Sequence, residues 1–249
     1  MMKLLEKRPE ASCVYVADTA NFPYGEKSHE QVVECVIALV EKIREQFAPK
    51  VIVVACNTMS VNALDSLRAE FSDIQFVGTV PAIKLASSVS KKRRIGLLAT
   101  KATCENPYNL ELKEKFAKDC VLVTRGDGEL VSYIEHNAFT ASREDCLKAV
   151  KPAIDFFRTQ GCDVVILGCT HFLNFTEVFK AACEPDIMVV DSVDGVVRHA
   201  LEIRGSFDKL NHRNSQSLFI TGFRDTAEEN QYNVLCSRFG IQFGGLLKK

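Results

Sequence analysis

Two segments of this sequence repeat one pattern, and the pattern leaves few folds open. Val51-Ile52-Val53-Val54-Ala55-Cys56-Asn57-Thr58 and Val164-Val165-Ile166-Leu167-Gly168-Cys169-Thr170-His171 each hold four aliphatic residues, one small residue, a cysteine and then hydrogen-bonding residues. Four aliphatic residues in a row, without polar alternation, fit a strand buried on both faces, as in parallel sheets covered by helices. The spacing predicts a helix over 59–71 after the first segment. It predicts another after the second, capped by Asn174 with Glu177 three residues on.

Short apolar runs alternate with amphipathic stretches along the rest of the chain. Strands are predicted over 13–17, 74–77, 95–99, 121–123, 187–190 and 218–220. A helix over 28–47 opens on Ser28-His29-Glu30-Gln31, which fits a capping box, and Val33, Val36, Ile37, Val40 and Ile43 line one face of it. Helices are also predicted over 110–117 and 142–160, the latter with Cys146, Val150, Ile154 and Phe157 as its apolar stripe. Strand–helix alternation with uniformly apolar strands indicates an α/β class with mostly parallel sheets. No segment is rich in Pro, Gly or Ser, so a domain boundary has to be a compact crossover, near Pro81–Lys84 or Asp191-Ser192.

The composition narrows the function classes. A formal net charge of -1 gives no overall attraction to nucleic acid or to an anionic membrane. The dense basic run Lys91-Lys92-Arg93-Arg94 directly precedes an apolar strand and reads as a solvated turn. No apolar stretch approaches the roughly 20 residues that span a bilayer. Met1–Pro9 lacks the apolar core of a secretion signal. The ten cysteines are scattered and many lie in apolar runs, with Cys35 and Cys162 read as buried thiols; a reducing cytoplasm is the expected location. With no CxxC and no Cys/His cluster at zinc spacing, no metal is expected. Neither a phosphate-binding glycine loop nor a pyridoxal-phosphate lysine motif is present, so no cofactor is expected either.

The chemistry concentrates at the two repeated strand ends. In open α/β sheets, ligands bind beyond the carboxyl ends of the strands. A cysteine there, just ahead of a helix, faces the ligand, and the helix N-terminus is expected to lower its pKa. Asn57, Thr58 and Thr170 can hold a carboxylate, while Ala55 and Gly168 let backbone approach a ligand closely. Two matching half-sites suit inversion of a stereocentre. One base removes the α-proton and a protonated partner delivers another from the opposite face. Asp18 reads either as a helper acid or as a turn acceptor at a strand end, the latter being the commoner case.

At these residues the sequence resembles the glutamate racemase family. The likeness rests on Ala55-Cys56-Asn57-Thr58 and Gly168-Cys169-Thr170-His171. It continues through Asp18–Ser28, Val80–Lys84, Leu130–Glu135 and Val190-Asp191-Ser192, and covers most of the chain. The resemblance implies two similar doubly wound parallel-sheet domains with the active site in the cleft between them. The second is inserted in the first, which divides the chain into 1–84 plus 192–249 and 85–191. It implies a cofactor-independent interconversion of L- and D-glutamate that supplies peptidoglycan. Cys56 and Cys169 would be the opposed acid/base groups, with Glu135 and His171 as their polar partners. Tyr24, Gly25, Asn57, Thr58, Thr103 and Thr170 would bind the substrate. The expected partner is a small molecule, with no nucleic acid and no membrane, and a homodimer is possible.

The sequence departs from that family at its start. Glutamate racemases open on a strand ending in an Asp-Ser-Gly turn; this sequence has no such segment there, and Met1–Pro9 read as the tail of the helix that follows it. The expected consequences are an exposed edge on a neighbouring strand and one thiol helper fewer. Leu173 also stands where the family commonly has proline. Two other readings stay open at this point. One is a racemase acting on aspartate, which His171 disfavours because aspartate racemases more often carry an acidic residue there. The other is a catalytically weak relative with a binding or regulatory role.

Overall fold

The computed structural model describes residues 1–138, 140–205, 216–223 and 225–247. The chain begins with α1 (Met2–Lys7), β1 (Cys13–Ala17), α2 (His29–Phe47), β2 (Val51–Val54), α3 (Asn57–Glu70) and β3 (Gln75–Gly78). It continues through α4 (Ile83–Val89), β4 (Arg94–Ala99), α5 (Lys101–Glu105), α6 (Tyr108–Phe116), β5 (Val121–Gly126), α7 (Gly128–Asn137) and α8 (Arg143–Thr159). The last elements are β6 (Val164–Leu167), α9 (Thr176–Cys183), β7 (Met188–Val190), α10 (Val193–Gly205), β8 (Gln216–Ile220), α11 (Thr226–Phe239) and β9 (Gln242–Leu246).

The α/β class is as expected, and every strand pair is parallel. Four strands in the order β5-β4-β6-β7 form the largest sheet. Its central strands are the most apolar: all four residues of β6 are buried, as are Ile95, Leu97, Leu98 and Ala99 of β4. Helices cover both faces. On one side Leu98, Val165 and Leu167 pack against α7, α8 and α9 through Ile134, Val150, Ile154, Phe157 and Phe179. On the other, Ile95, Leu97 and Ile166 meet Ile83 and Ala86 of α4. Gly96 of β4 lets the Phe157 ring lie directly on the strand, since a Cβ there would come within 2.5 Å of it.

The other five strands form two sheets, β1-β8-β9 and β2-β3, so β1 and β2 are edge strands. No strand among the described residues bridges them. Tyr15 of β1 is exposed. Helix packing joins the two parts instead. Val32, Val36 and Val40 of α2 bury against Val54 of β2 and Ala63, Leu67 and Phe71 of α3, and the Phe47 ring at the end of α2 packs, tilted by 60°, against Phe219 of β8 at 5.0 Å between centroids.

Local signals in the sequence placed several element starts. Ser28 caps α2 in a reciprocal capping box with Gln31. The buried stripe of α2 is centred on Val32, Val36 and Val40, with Val33, Ile37 and Ile43 only half-buried at its margin. Ser142 caps α8 through the backbone N–H of Asp145. The basic run is indeed a turn: Asp163 accepts the backbone N–H of Lys91 at 2.6 Å and of Lys92 at 2.8 Å, which fixes the entry into β4. Cys162 is buried as expected, whereas Cys35 is only half-buried on the flank of α2. Among the described residues, no helix is long and apolar enough to cross a membrane.

Candidate active site

Cys56 and Cys169 follow β2 and β6, at the carboxyl ends of strands from two different sheets. Their backbones are nearly alike, with φ/ψ of -148°/125° at Cys56 and -133°/134° at Cys169. Each occupies the extended position just before a helical segment. The equivalence stops there. α3 begins at once after Cys56, but Cys169 is followed by a 3-10 segment, Thr170–Phe175, before α9. The predicted cap is therefore corrected: Asn174 lies within that tighter turn, exposed, and Phe175 precedes α9 with no side-chain cap.

The two thiols lie near enough for charge on Cys169 to disfavour charge on Cys56. Burial is the larger influence, and it pushes the Cys56 thiol up to about 11. The backbone N–H groups of Met59 and Thr58 and the Thr58 hydroxyl act in the opposite direction without prevailing. The expectation of a thiol lowered by its helix is thus corrected for Cys56. The helix N–H groups are in place, but desolvation of a thiolate outweighs them.

Cys169 has a different set of partners. Its Sγ lies 3.5 Å from Nδ1 of His171, and Nε2 of His171 lies 2.9 Å from Oε2 of Glu135 on α7. Burial disfavours a charged imidazole here, yet the bonds to Cys169 and Glu135 overcome it and hold His171 up at about 10. The His171 bond in turn draws Glu135 below its ordinary value, against burial. An imidazolium and a carboxylate are thus paired, with the Cys169 sulfur at the imidazole's other nitrogen. The Phe22 ring, from the loop after β1, covers His171 at 5.6 Å between centroids.

The remaining predicted residues divide into two groups. Asn57 is 3% exposed beside Cys56, and its Oδ1 has no hydrogen-bond partner. Thr170 is half-buried beside Cys169. Both leave polar groups at the strand ends. Tyr24, Gly25, Thr58 and Thr103 are instead engaged within the protein. The Tyr24 hydroxyl donates to Asp18, which also accepts from Asn21 and, at 2.6 Å, from Thr221. Gly25 fits against Thr100, where a Cβ would lie 2.7 Å from the threonine side chain. Thr58 and Thr103 bond to each other and to Thr100. Sequence reasoning missed Phe22, Thr100 and Thr221. Only Thr100 carried a local signal, as a threonine capping a helix three residues before another threonine.

Residues 1–200 match the Asp/Glu/hydantoin racemase family. The chain belongs to that family. This racemase is 38% identical over 239 residues to the glutamate racemase of Treponema pallidum (strain Nichols), covering 96% of this chain and 88% of the relative. It is 34% identical to that of Proteus mirabilis (strain HI4320), covering 97% of this chain and 82% of the relative. Among solved structures, it superposes on Escherichia coli glutamate racemase in complex with L-glutamate and the activator UDP-MurNAc-Ala. The TM-score is 0.84 at 30% identity, covering 98% of this chain and 92% of the other.

The charge chain of this racemase makes a testable prediction. A His whose pKa rises on folding from 6.5 to about 10 stabilises the fold fully below about pH 6.5 and loses that contribution as pH climbs towards 10. Glu135, lowered from 4.5, contributes above its unfolded value and loses its contribution as acid protonates it. Glu135→Gln removes one of the two groups that keep His171 charged. An NMR titration of the His171 ring is expected to shift downward by one pH unit or more, roughly the effect of one close opposite charge. An unmoved titration would show that Glu135 does not hold the imidazolium.

Proposed function

We propose that this racemase interconverts L- and D-glutamate without a cofactor, using Cys56 and Cys169 on opposite faces of the substrate's Cα. The observation that carries this reading is the pairing of two thiols on equivalent strand ends of different sheets, close enough for their charges to interact. In one direction a thiolate takes the α-proton, becoming a thiol, and the facing thiol gives its proton to the resulting carbanion, becoming a thiolate. The reverse reaction exchanges these roles, so the pair is ready for the opposite enantiomer. His171, held by Glu135, is the hydrogen-bond partner of Cys169. The unpartnered Oδ1 of Asn57 suits an α-ammonium group, and Thr170 suits a carboxylate.

The names of the relatives favour glutamate over aspartate. In this reading, residues 1–84 with 192–249 carry Cys56, residues 85–191 carry Cys169, and the substrate lies between the two units. A cytoplasmic enzyme supplying D-glutamate for peptidoglycan is the role we assign. Incubation with each enantiomer in D2O tests it by NMR. Loss of the α-proton signal is expected with both L- and D-glutamate, and at least about tenfold more slowly with aspartate, because a side chain one methylene shorter misplaces its carboxylate. Absence of exchange with either glutamate enantiomer overturns the proposal.

A further inference from the structure

The loop after β1 reaches from the three-stranded sheet to the end of the largest one. It is clamped to the end of β8 at its start. Thr221 donates to Asp18 at 2.6 Å, the Ala20 N–H donates to Thr221 Oγ1 at 3.0 Å, and the Gly222 N–H donates to Thr19 Oγ1 at 3.1 Å. Asn21 Nδ2, at 2.9 Å, and the Tyr24 hydroxyl also donate to Asp18. Phe22 leaves this clamp and packs against the buried cluster that holds Cys169 and Phe172. Tyr24, two residues on, is buried in a different cluster, with Val32 and Val54.

The Phe22 ring meets the His171 ring at 5.6 Å between centroids, tilted by 47°. A cation within about 6 Å of an aromatic centroid is attracted by the ring's quadrupole. An aliphatic side chain in that place would only exclude water, which disfavours a charged imidazole. The charged and titratable partners of the ring are Glu135, 2.9 Å from Nε2, and Cys169, 3.5 Å from Nδ1. α7 and α9 pack on the segment that carries His171. On α7, His136 acts on Glu135; on α9, Glu177 and Lys180 pair with each other at 2.8 Å. Asp18 of the covering loop is taken up by Asn21, Tyr24 and Thr221.

We propose that Phe22 is a positioning residue whose ring, held by the clamp on β8, favours the charged form of His171 beside Cys169. The inference deepens the racemase reading and rests on it for its meaning in catalysis, because His171 is there the partner of one of the two acid/base thiols. Its test does not require turnover. Phe22 belongs to a loop fixed to one sheet and His171 to the end of a strand in another. The imidazolium is therefore favoured only while that loop rests on it.

The test is an NMR titration of the His171 ring in the intact protein. Phe22→Leu keeps an apolar side chain in place and removes the aromatic face. The His171 titration is expected to fall by about half a pH unit to one unit, the weight of one cation–aromatic contact. The rings of His29 and His199, both exposed, are expected to titrate as before. Phe22→Met also fills the space without a ring and gives the same fall, which covers a leucine variant that fails to fold. Phe22→Tyr restores the aromatic face and the titration. An unmoved His171 titration in a folded leucine or methionine variant overturns the proposal, as does an equal fall in the tyrosine variant. Failure of the racemase reading would appear separately, as no deuterium exchange with either glutamate enantiomer in a protein whose His171 titration still responds to Phe22.

Discussion

Alanine at either Cys56 or Cys169 is expected to lower racemisation by about 10³-fold or more, within the range that positioned acid/base groups contribute. Inversion needs a group on each face of Cα, so losing one thiol stops both directions, and a bound water is a poor substitute in a site this buried. The two single variants are expected to differ in a second measurement. Each keeps one thiol, on one face, and deuterium exchange in D2O should survive for one enantiomer only. The enantiomer that exchanges should be opposite in the two variants. Cys169→Ala also leaves His171 without its sulfur partner, so the ring titration falls in that variant and not in Cys56→Ala. Racemisation by a double alanine variant would rule out the two-thiol mechanism.

Phe157→Ala is expected to destabilise the protein by about 3–5 kcal/mol, the usual cost of emptying a fully buried aromatic site. Phe157 is 0% exposed on α8 and lies on Gly96 in the middle of the largest sheet. For a chain of this size that corresponds to a fall of roughly 10 °C in melting temperature. The position on β4 is tight from the other side as well. Gly96→Ala puts a methyl group 2.5 Å from the ring, against a strand whose backbone cannot retreat, and is also expected to destabilise. Because the two changes meet at one contact, the double variant should be more stable than the sum of the single losses allows. Additive losses in urea melts would show that Gly96 and Phe157 do not share that space.

Much of the site was legible in the sequence because its key residues sit where local patterns point. A run of four aliphatics ending in a small residue and a cysteine defines a buried strand end, and the chain contains it twice. Ser28 with Gln31, and Ser142 ahead of Asp145, mark helix starts through bonds three residues long. β9 was not legible, because Gln242–Leu246 is glycine-rich, carries Gly245 at φ +78° and meets β8 through an irregular register. Glu135 resembled any solvated helical carboxylate until α7 placed it against His171, 36 residues further along the chain.

The sequence by itself determined the α/β class, the order of most strands and helices, and the two cysteine-bearing strand ends. Those follow from hydrophobic periodicity and capping, which act over a few residues. Tertiary structure alone decided that β1 and β2 end separate sheets, that Cys56 is raised rather than lowered, and that Thr58, Thr100 and Thr103 close into one triangle. Strand pairing depends on which edges meet, and a thiol's acidity depends on how much water its surroundings exclude. A hydroxyl's direction depends on which acceptors lie within 3 Å or so. None of these is a property of neighbouring residues in the chain; each arises from groups brought together only when the sheets and helices pack.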